Sequence, residues 1–150
     1  MTNQEKKEYL KQINSIDRRI DYLLTAIEKE KSRRDRLLSI SVNYENDGTQ
    51  NGSHSNGTEK KVIAYAEIGE YIDSLKDDVK KLYKLKQTIK TIVNNVSNPT
   101  SREILFRKYI NAEKDESIWI SMGYCDRQYW RLHGNALTDI NMSVEVSECQ

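Results

Sequence analysis

The stretch Glu116-Ser-Ile-Trp-Ile-Ser-Met-Gly-Tyr-Cys-Asp-Arg-Gln-Tyr-Trp-Arg-Leu-His-Gly-Asn-Ala-Leu137 decides how this chain is read. Ile118, Trp119 and Met122 predict a short helix over 117–122. Gly123 then supplies a tight turn, because glycine enters the left-handed backbone conformation without steric cost. A second helix is expected over 126–140. At about 100° per residue, Tyr129, Leu132, Ala136 and Ile140 gather on one face with Leu137 beside them. Arg127, Arg131, Gly134 and Thr138 fall opposite, flanked by Gln128, Trp130 and Asn135. Two helices joined by a glycine turn, the second with one apolar and one polar face, have the layout of a helix-turn-helix.

Working back from this stretch, Ser97-Asn98-Pro99-Thr100 reads as a helix stop and restart. Asn98 can cap the next helix, with Pro99 at its first position, where a missing N–H costs nothing. That helix runs through Arg102-Glu-Ile-Leu-Phe-Arg-Lys-Tyr-Ile110 with Ile104, Leu105, Tyr109 and Ile110 inward. Residues 111–115 are a short connection. Residues 141–150 carry no helical period and read as a flexible tail.

Further back the pattern lengthens. Over 5–41, Tyr9, Ile13, Ile16, Ile20, Leu23 and Ile27 recur at alternating four- and three-residue steps, as in the apolar seam of a coiled coil. The seam turns polar at Glu30 and Arg34 and recovers at Leu37; Leu10, Leu24 and Leu38 widen it. Residues 42–58 are a Gly/Asn/Ser tract, too polar to offset chain entropy, and predict a mobile loop. Over 59–96 the register returns with Tyr65, Ile68, Ile72, Leu75, Val79 and Leu82. Lys86 interrupts it, with Leu85 beside the seam, and Ile89, Val93 and Val96 resume it.

Two amphipathic helices of similar length pair most simply as an antiparallel hairpin. Their stripes can instead pair between chains, and the sequence leaves both open. The residues expected to drive oligomerisation, as a homodimer through the N-terminal helices, are Ile13, Ile16, Ile20, Leu23, Ile27, Ile72, Leu75, Val79 and Leu82. The expected fold class is all-α: residues 1–96 as a long helical hairpin, 97–140 as a small helix-turn-helix bundle, 141–150 as a tail.

Composition bounds the function. The chain has 150 residues, 31% charged and 37% apolar, a balance that suits long solvated helices. Net charge is +1, so no global basic field announces nucleic acid. Residues 1–41 hold ten Lys/Arg against seven Asp/Glu, and residues 99–140 hold six against six. Two cysteines, Cys125 and Cys149, make no disulfide framework. No apolar run follows the N-terminus and none is long enough to cross a membrane, so a cytoplasmic, reduced protein is expected. No Cys/His spacing suggests zinc and no cofactor is expected. No carboxylate pair, activated nucleophile or phosphate-binding glycine loop points to an enzyme.

The polar face of helix 126–140 is where chemistry is expected. Arginine pairs with guanine edges or with phosphates, and early positions of a recognition helix reach the bases. Arg127, Gln128 and Arg131 are therefore the candidate reading residues, with Trp130 and Asn135 flanking. Gly134 would let the backbone approach a phosphate. Trp130 reads equally as a stacker on sugar and phosphate and as a core-edge aromatic. Arg107, Lys108 and Lys114 are candidates for phosphate contacts. His133 projects close to the apolar face and reads as a structural, partly buried histidine. Cys125 stands where a capping Ser or Thr is usual. Asp126 suits the positive end of the helix dipole. The cluster Lys29-Glu-Lys-Ser-Arg-Arg-Asp-Arg36 reads first as a solvated mixed-charge face.

Residues 102–110 followed by 118–137 resemble region 4 of sigma-70 factors. They are still more similar to the ArpU/RinA-type late-gene activators of phages of Gram-positive hosts, most specifically over Met122-Gly-Tyr-Cys and Arg131-Leu-His-Gly-Asn-Ala-Leu137. The resemblance covers residues 99–140, and 1–98 only in layout. It implies binding of double-stranded promoter DNA, activation of phage or mobile-element genes in a bacterial host, RNA polymerase as a possible neighbour, and reading by Arg127, Gln128 and Arg131. Two other functions fit the same layout. One is a DNA-packaging component like a small terminase subunit. The other is a protein-interaction factor whose sigma-like fold binds polymerase or a regulator rather than DNA.

Overall fold

The computed structural model describes residues 1–44 and 55–143. Among these there is no strand. The elements are α1 (Asn3–Tyr44), α2 (Ser55–Asn94), α3 (Pro99–Leu105), a π-helical turn (Phe106–Ile110), α4 (Asp115–Met122) and α5 (Asp126–Asp139). The fold is all-α, with a long N-terminal helix followed by smaller ones. Both long helices exceed their expected limits of 41 and 59. No proline or glycine stops α1 before residue 44, and Ser55 suits a helix start. Of the expected loop 42–58, residues 45–54 lie outside the described residues, as do 144–150 of the expected tail.

The chain divides into two compact units. One joins Met1–Arg19 to Leu82–Gln150; the other is Ile20–Lys81. The packing therefore does not divide after residue 96. The helix-turn-helix shares its unit with the start of α1 and the end of α2.

In the unit Ile20–Lys81, Ile27 of α1 and Ile68, Ile72, Leu75 and Val79 of α2 form one buried cluster, with Leu23, Ala26 and Leu37 packed on it. The Arg34 guanidinium lies 5.4 Å from the Tyr65 ring centre, so the polar step in the α1 seam is covered by an aromatic from α2. In the other unit Leu10, Ile13, Ile16, Ile89, Ile92, Val93 and Val96 are buried, and Lys86, the break in the α2 seam, pairs with Asp17 of α1 at 2.5 Å.

These positions bring the residues expected to drive oligomerisation together inside one chain. Ile13, Ile16, Ile20, Ile27, Ile72, Leu75, Val79 and Leu82 are all buried within the single chain, and Leu23 packs on the cluster. Side chains already removed from water inside one chain leave little surface for a partner. Leu24 and Leu38, expected to widen the stripe, are instead 42% and 50% exposed.

The restart before α3 is as expected. Asn98 Oδ1 accepts from the backbone N–H of Thr100 (2.9 Å) and Ser101 (3.2 Å), with Pro99 in the first turn. Ile104, Leu105 and Tyr109 are buried, and Ile110 is half-buried. The π turn was not legible in the sequence. There the Asn111 N–H reaches back five residues to the Phe106 carbonyl at 3.0 Å, and Ala112 follows at φ 53°.

Candidate nucleic-acid interface

α4 starts at Asp115, two residues earlier than expected, and ends in a glycine stop. Gly123 takes φ 73°; its N–H donates to the Ile120 carbonyl (3.2 Å), and the Tyr124 N–H donates to the Trp119 carbonyl (2.9 Å). These two bonds satisfy the last carbonyls of α4 and turn the chain into α5. Ile104 of α3, Ile118 of α4 and Tyr129 of α5 form the buried centre, with Trp119, Met122 and Leu132 packed around them. Ala136, Leu137 and Ile140 are buried as the 126–140 pattern requires, while Leu132 is only half-buried.

A polar network locks the three helices. Asp115 Oδ1 accepts from Lys108 Nζ and from the Tyr129 hydroxyl at 2.5 Å. Burial alone would raise the Asp115 carboxyl, but those two hydrogen bonds and the Lys108 charge hold it below its ordinary value. Burial and Asp115 push the Tyr129 phenol far up, so it stays protonated and donates. The Tyr109 hydroxyl pairs with His133 Nε2 at 2.9 Å, and His133 is only 4% exposed. Burial, with the Lys108 charge, pushes the His133 imidazole down to about 4. It is a neutral structural histidine, as its position predicted. Ser101 Oγ donates to Asp139 Oδ2 at 2.9 Å and ties the start of α3 to the end of α5.

Arg127, Gln128, Arg131 and Asn135 are exposed on α5. Cys125 is exposed and makes no capping hydrogen bond, and Asp126 Oδ1 accepts from the Arg127 N–H at 2.7 Å. Trp130 is 45% exposed. Its ring meets Tyr129 at 5.1 Å and His133 at 5.6 Å, both edge to face, and Lys108 Nζ lies 4.9 Å from its centre. It is thus a core-edge aromatic with one part open to solvent.

Two candidate phosphate contacts need correction. Arg107 is engaged by Glu113 (2.7 Å) and Glu103 (3.7 Å), and Lys108 by Asp115, so neither charge is free for a phosphate. Lys114 is exposed at the start of α4. The Gly134 carbonyl accepts from the Thr138 hydroxyl (3.1 Å) and from Asn3 Nδ2 of α1 (3.4 Å), so α1 borders the backbone expected to approach a phosphate.

The residues missed from sequence are Asn3 and Lys6. Lys6 Nζ donates to the carbonyls of Leu137 (2.9 Å), Thr138 (3.3 Å) and Ile140 (2.9 Å), a cation on the negative end of α5. Helical spacing shows which face of α1 is apolar but not that its first turns meet a helix more than 130 residues away.

Charge reads differently once the unit is known. Met1–Arg19 with Leu82–Gln150 holds fourteen Lys/Arg against eleven Asp/Glu, or +3; Ile20–Lys81 holds ten against twelve, or −2. Among the described residues no group of three His, Cys, Asp or Glu is placed to hold a metal, and no helix is long and apolar enough to cross a membrane. No family model, curated protein or solved structure matches the chain.

Proposed function

We propose that this chain is a sequence-specific DNA-binding regulator that reads duplex DNA with the first turns of α5. The observation that carries the reading is a glycine-turned helix pair whose second helix leaves Arg127, Gln128 and Arg131 exposed at its N-terminal half. Those are the positions from which a recognition helix reaches base edges in the major groove. The +3 balance of the unit supports it. So does the internal pairing of Glu113 and Asp115, which removes two carboxylates from opposition to phosphate. The resemblance to ArpU/RinA-type activators extends the reading to phage or mobile-element promoters in a bacterial cytoplasm, with RNA polymerase as a neighbour.

The test is a gel shift of the purified chain on duplex fragments from its own gene neighbourhood, across a salt series. A saturable shift on one fragment is expected, weakening as salt rises and lost in Arg127→Ala/Arg131→Ala with the fold intact. A folded protein that shifts no fragment at low salt would overturn the reading. It would favour the protein-interaction alternative, for which Ile120, 66% exposed on α4, is the supporting observation.

A further inference from the structure

The first turns of α1 border the polar face of α5. Asn3 Nδ2 donates to the Gly134 carbonyl (3.4 Å) and to Thr138 Oγ1 (3.1 Å), and Lys6 holds the last carbonyls of α5. On a helical projection Gly134 and Thr138 share the side that carries Arg127 and Arg131. The start of α1 is therefore fixed alongside the proposed reading face, on its C-terminal half.

Lys7 follows Asn3 by one turn. Its charge, like that of Lys108, acts on His133. Trp130, one turn before Gly134, keeps 45% of its surface open. Lys108 is neutralised by Asp115, whereas Lys7 makes no ion pair among the described residues. Lys11 and Arg18, both exposed, continue the line. At about 100° per residue the three cations fall within about 40° of one another, over a rise of about 17 Å. Among the described residues Lys11 pairs with Glu8 at 3.1 Å; both side chains are about half exposed, unlike those of the Arg107 and Lys108 pairs, and such an open surface pair is weak.

We infer that the first turns of α1 form a second contact to DNA, centred on Lys7 and extended by Lys11 and Arg18, which grips the sugar–phosphate backbone flanking the site read by α5. This contact rests on the DNA-binding reading of α5. It is independent of base sequence, because lysine on a phosphate fixes position and carries no base information. Residues 1–19 add five Lys/Arg against three Asp/Glu to residues 99–140, whose charges balance.

The experiment is fluorescence anisotropy of the full chain with two duplexes of equal length, the fragment selected by gel shift and an unrelated one, across a potassium chloride series. Lys7→Gln should weaken both duplexes alike, by about 3- to 10-fold near physiological salt, and lower the slope of log affinity against log salt by about 1. Lys7→Arg should retain both, and Lys7→Gln/Lys11→Gln/Arg18→Gln should lower the slope by about 3. Arg127→Ala should instead weaken mainly the selected fragment. Thermal melting by circular dichroism should leave Lys7→Gln unchanged. If the Lys7 variant and the triple variant keep wild-type affinity and slope while Arg127→Ala loses the site, the α1 contact is overturned and the α5 reading stands. If Lys7→Arg loses as much as Lys7→Gln, the side chain acts in packing and the contact is again overturned. A wild-type chain that binds neither duplex overturns both.

Discussion

His133 shows how one buried side chain can set a pH limit on the fold. It is 4% exposed, paired with the Tyr109 hydroxyl, and its imidazole is pushed from an ordinary 6.5 to about 4. Below pH 6.5 the unfolded chain takes up a proton that the folded chain refuses. Stability is therefore complete above that pH and falls as pH drops toward 4. The loss reaches about 2 kcal/mol by pH 5, before the carboxylates of ordinary affinity begin to titrate. Urea unfolding at pH 7.5, 6 and 5 reads this directly, and His133→Gln, which cannot charge, should flatten that limb. Gly134 gives a prediction of the opposite sign. A Cβ there would meet nothing within 4 Å, and the residue lies inside α5. Gly134→Ala should raise stability by up to about 1 kcal/mol, since alanine loses less backbone freedom on entering a helix. It should leave DNA affinity unchanged if the Gly134 backbone takes no phosphate; a large affinity loss in this stabler variant would restore the close-approach role. The sequence placed His133 correctly because its angular position is local information. It missed Asn3 beside Gly134 because that neighbour is remote in the chain.

Gly123 is the residue on which the helix pair depends, because the α4 stop needs a left-handed φ of 73°. Nothing lies within 4 Å of a Cβ built there, so the cost of Gly123→Ala is conformational rather than steric. It should be about 1 kcal/mol, seen as a lower melting temperature with the fold retained. A much larger loss would mean that the turn is crowded rather than strained. The start of α3 was legible for the same reason as this turn: Asn98, Pro99 and Gly123 act through their own backbone chemistry. The π turn at Phe106–Ile110 was not. Its residues have ordinary helix propensities, and what it accomplishes is tertiary. It ends two residues before Ala112, and from within it Arg107 reaches Glu113 and Lys108 reaches Asp115 at the start of α4. The same pairing explains why Arg107 and Lys108 looked like phosphate contacts. A sequence shows the cation, and the carboxylate that satisfies it lies six or seven positions on, across a connection whose path the pattern does not give.

For the whole molecule, the question the sequence left open was whether its two long apolar seams pair within the chain or between chains. Period 3.5 identifies a seam but is blind to whose seam it meets. In the unit Ile20–Lys81 burial favours pairing within the chain, since Ile27, Ile68, Ile72, Leu75 and Val79 form one cluster inside a single chain. Charge followed the same logic. Counted along the sequence, residues 99–140 are neutral, and counted over the unit that contains them the balance is +3. The intrachain seam makes a prediction about concentration. Ile72, 2% exposed, should cost about 3 kcal/mol when cut to alanine, because its truncation leaves a cavity in the cluster. If both seam partners belong to one chain, the melting temperature of Ile72→Ala should be the same at micromolar and at hundred-micromolar protein. A seam shared between chains would raise it with concentration by mass action. Scanning calorimetry over that range decides between the two, and a concentration-dependent midpoint would return these isoleucines to an interchain role.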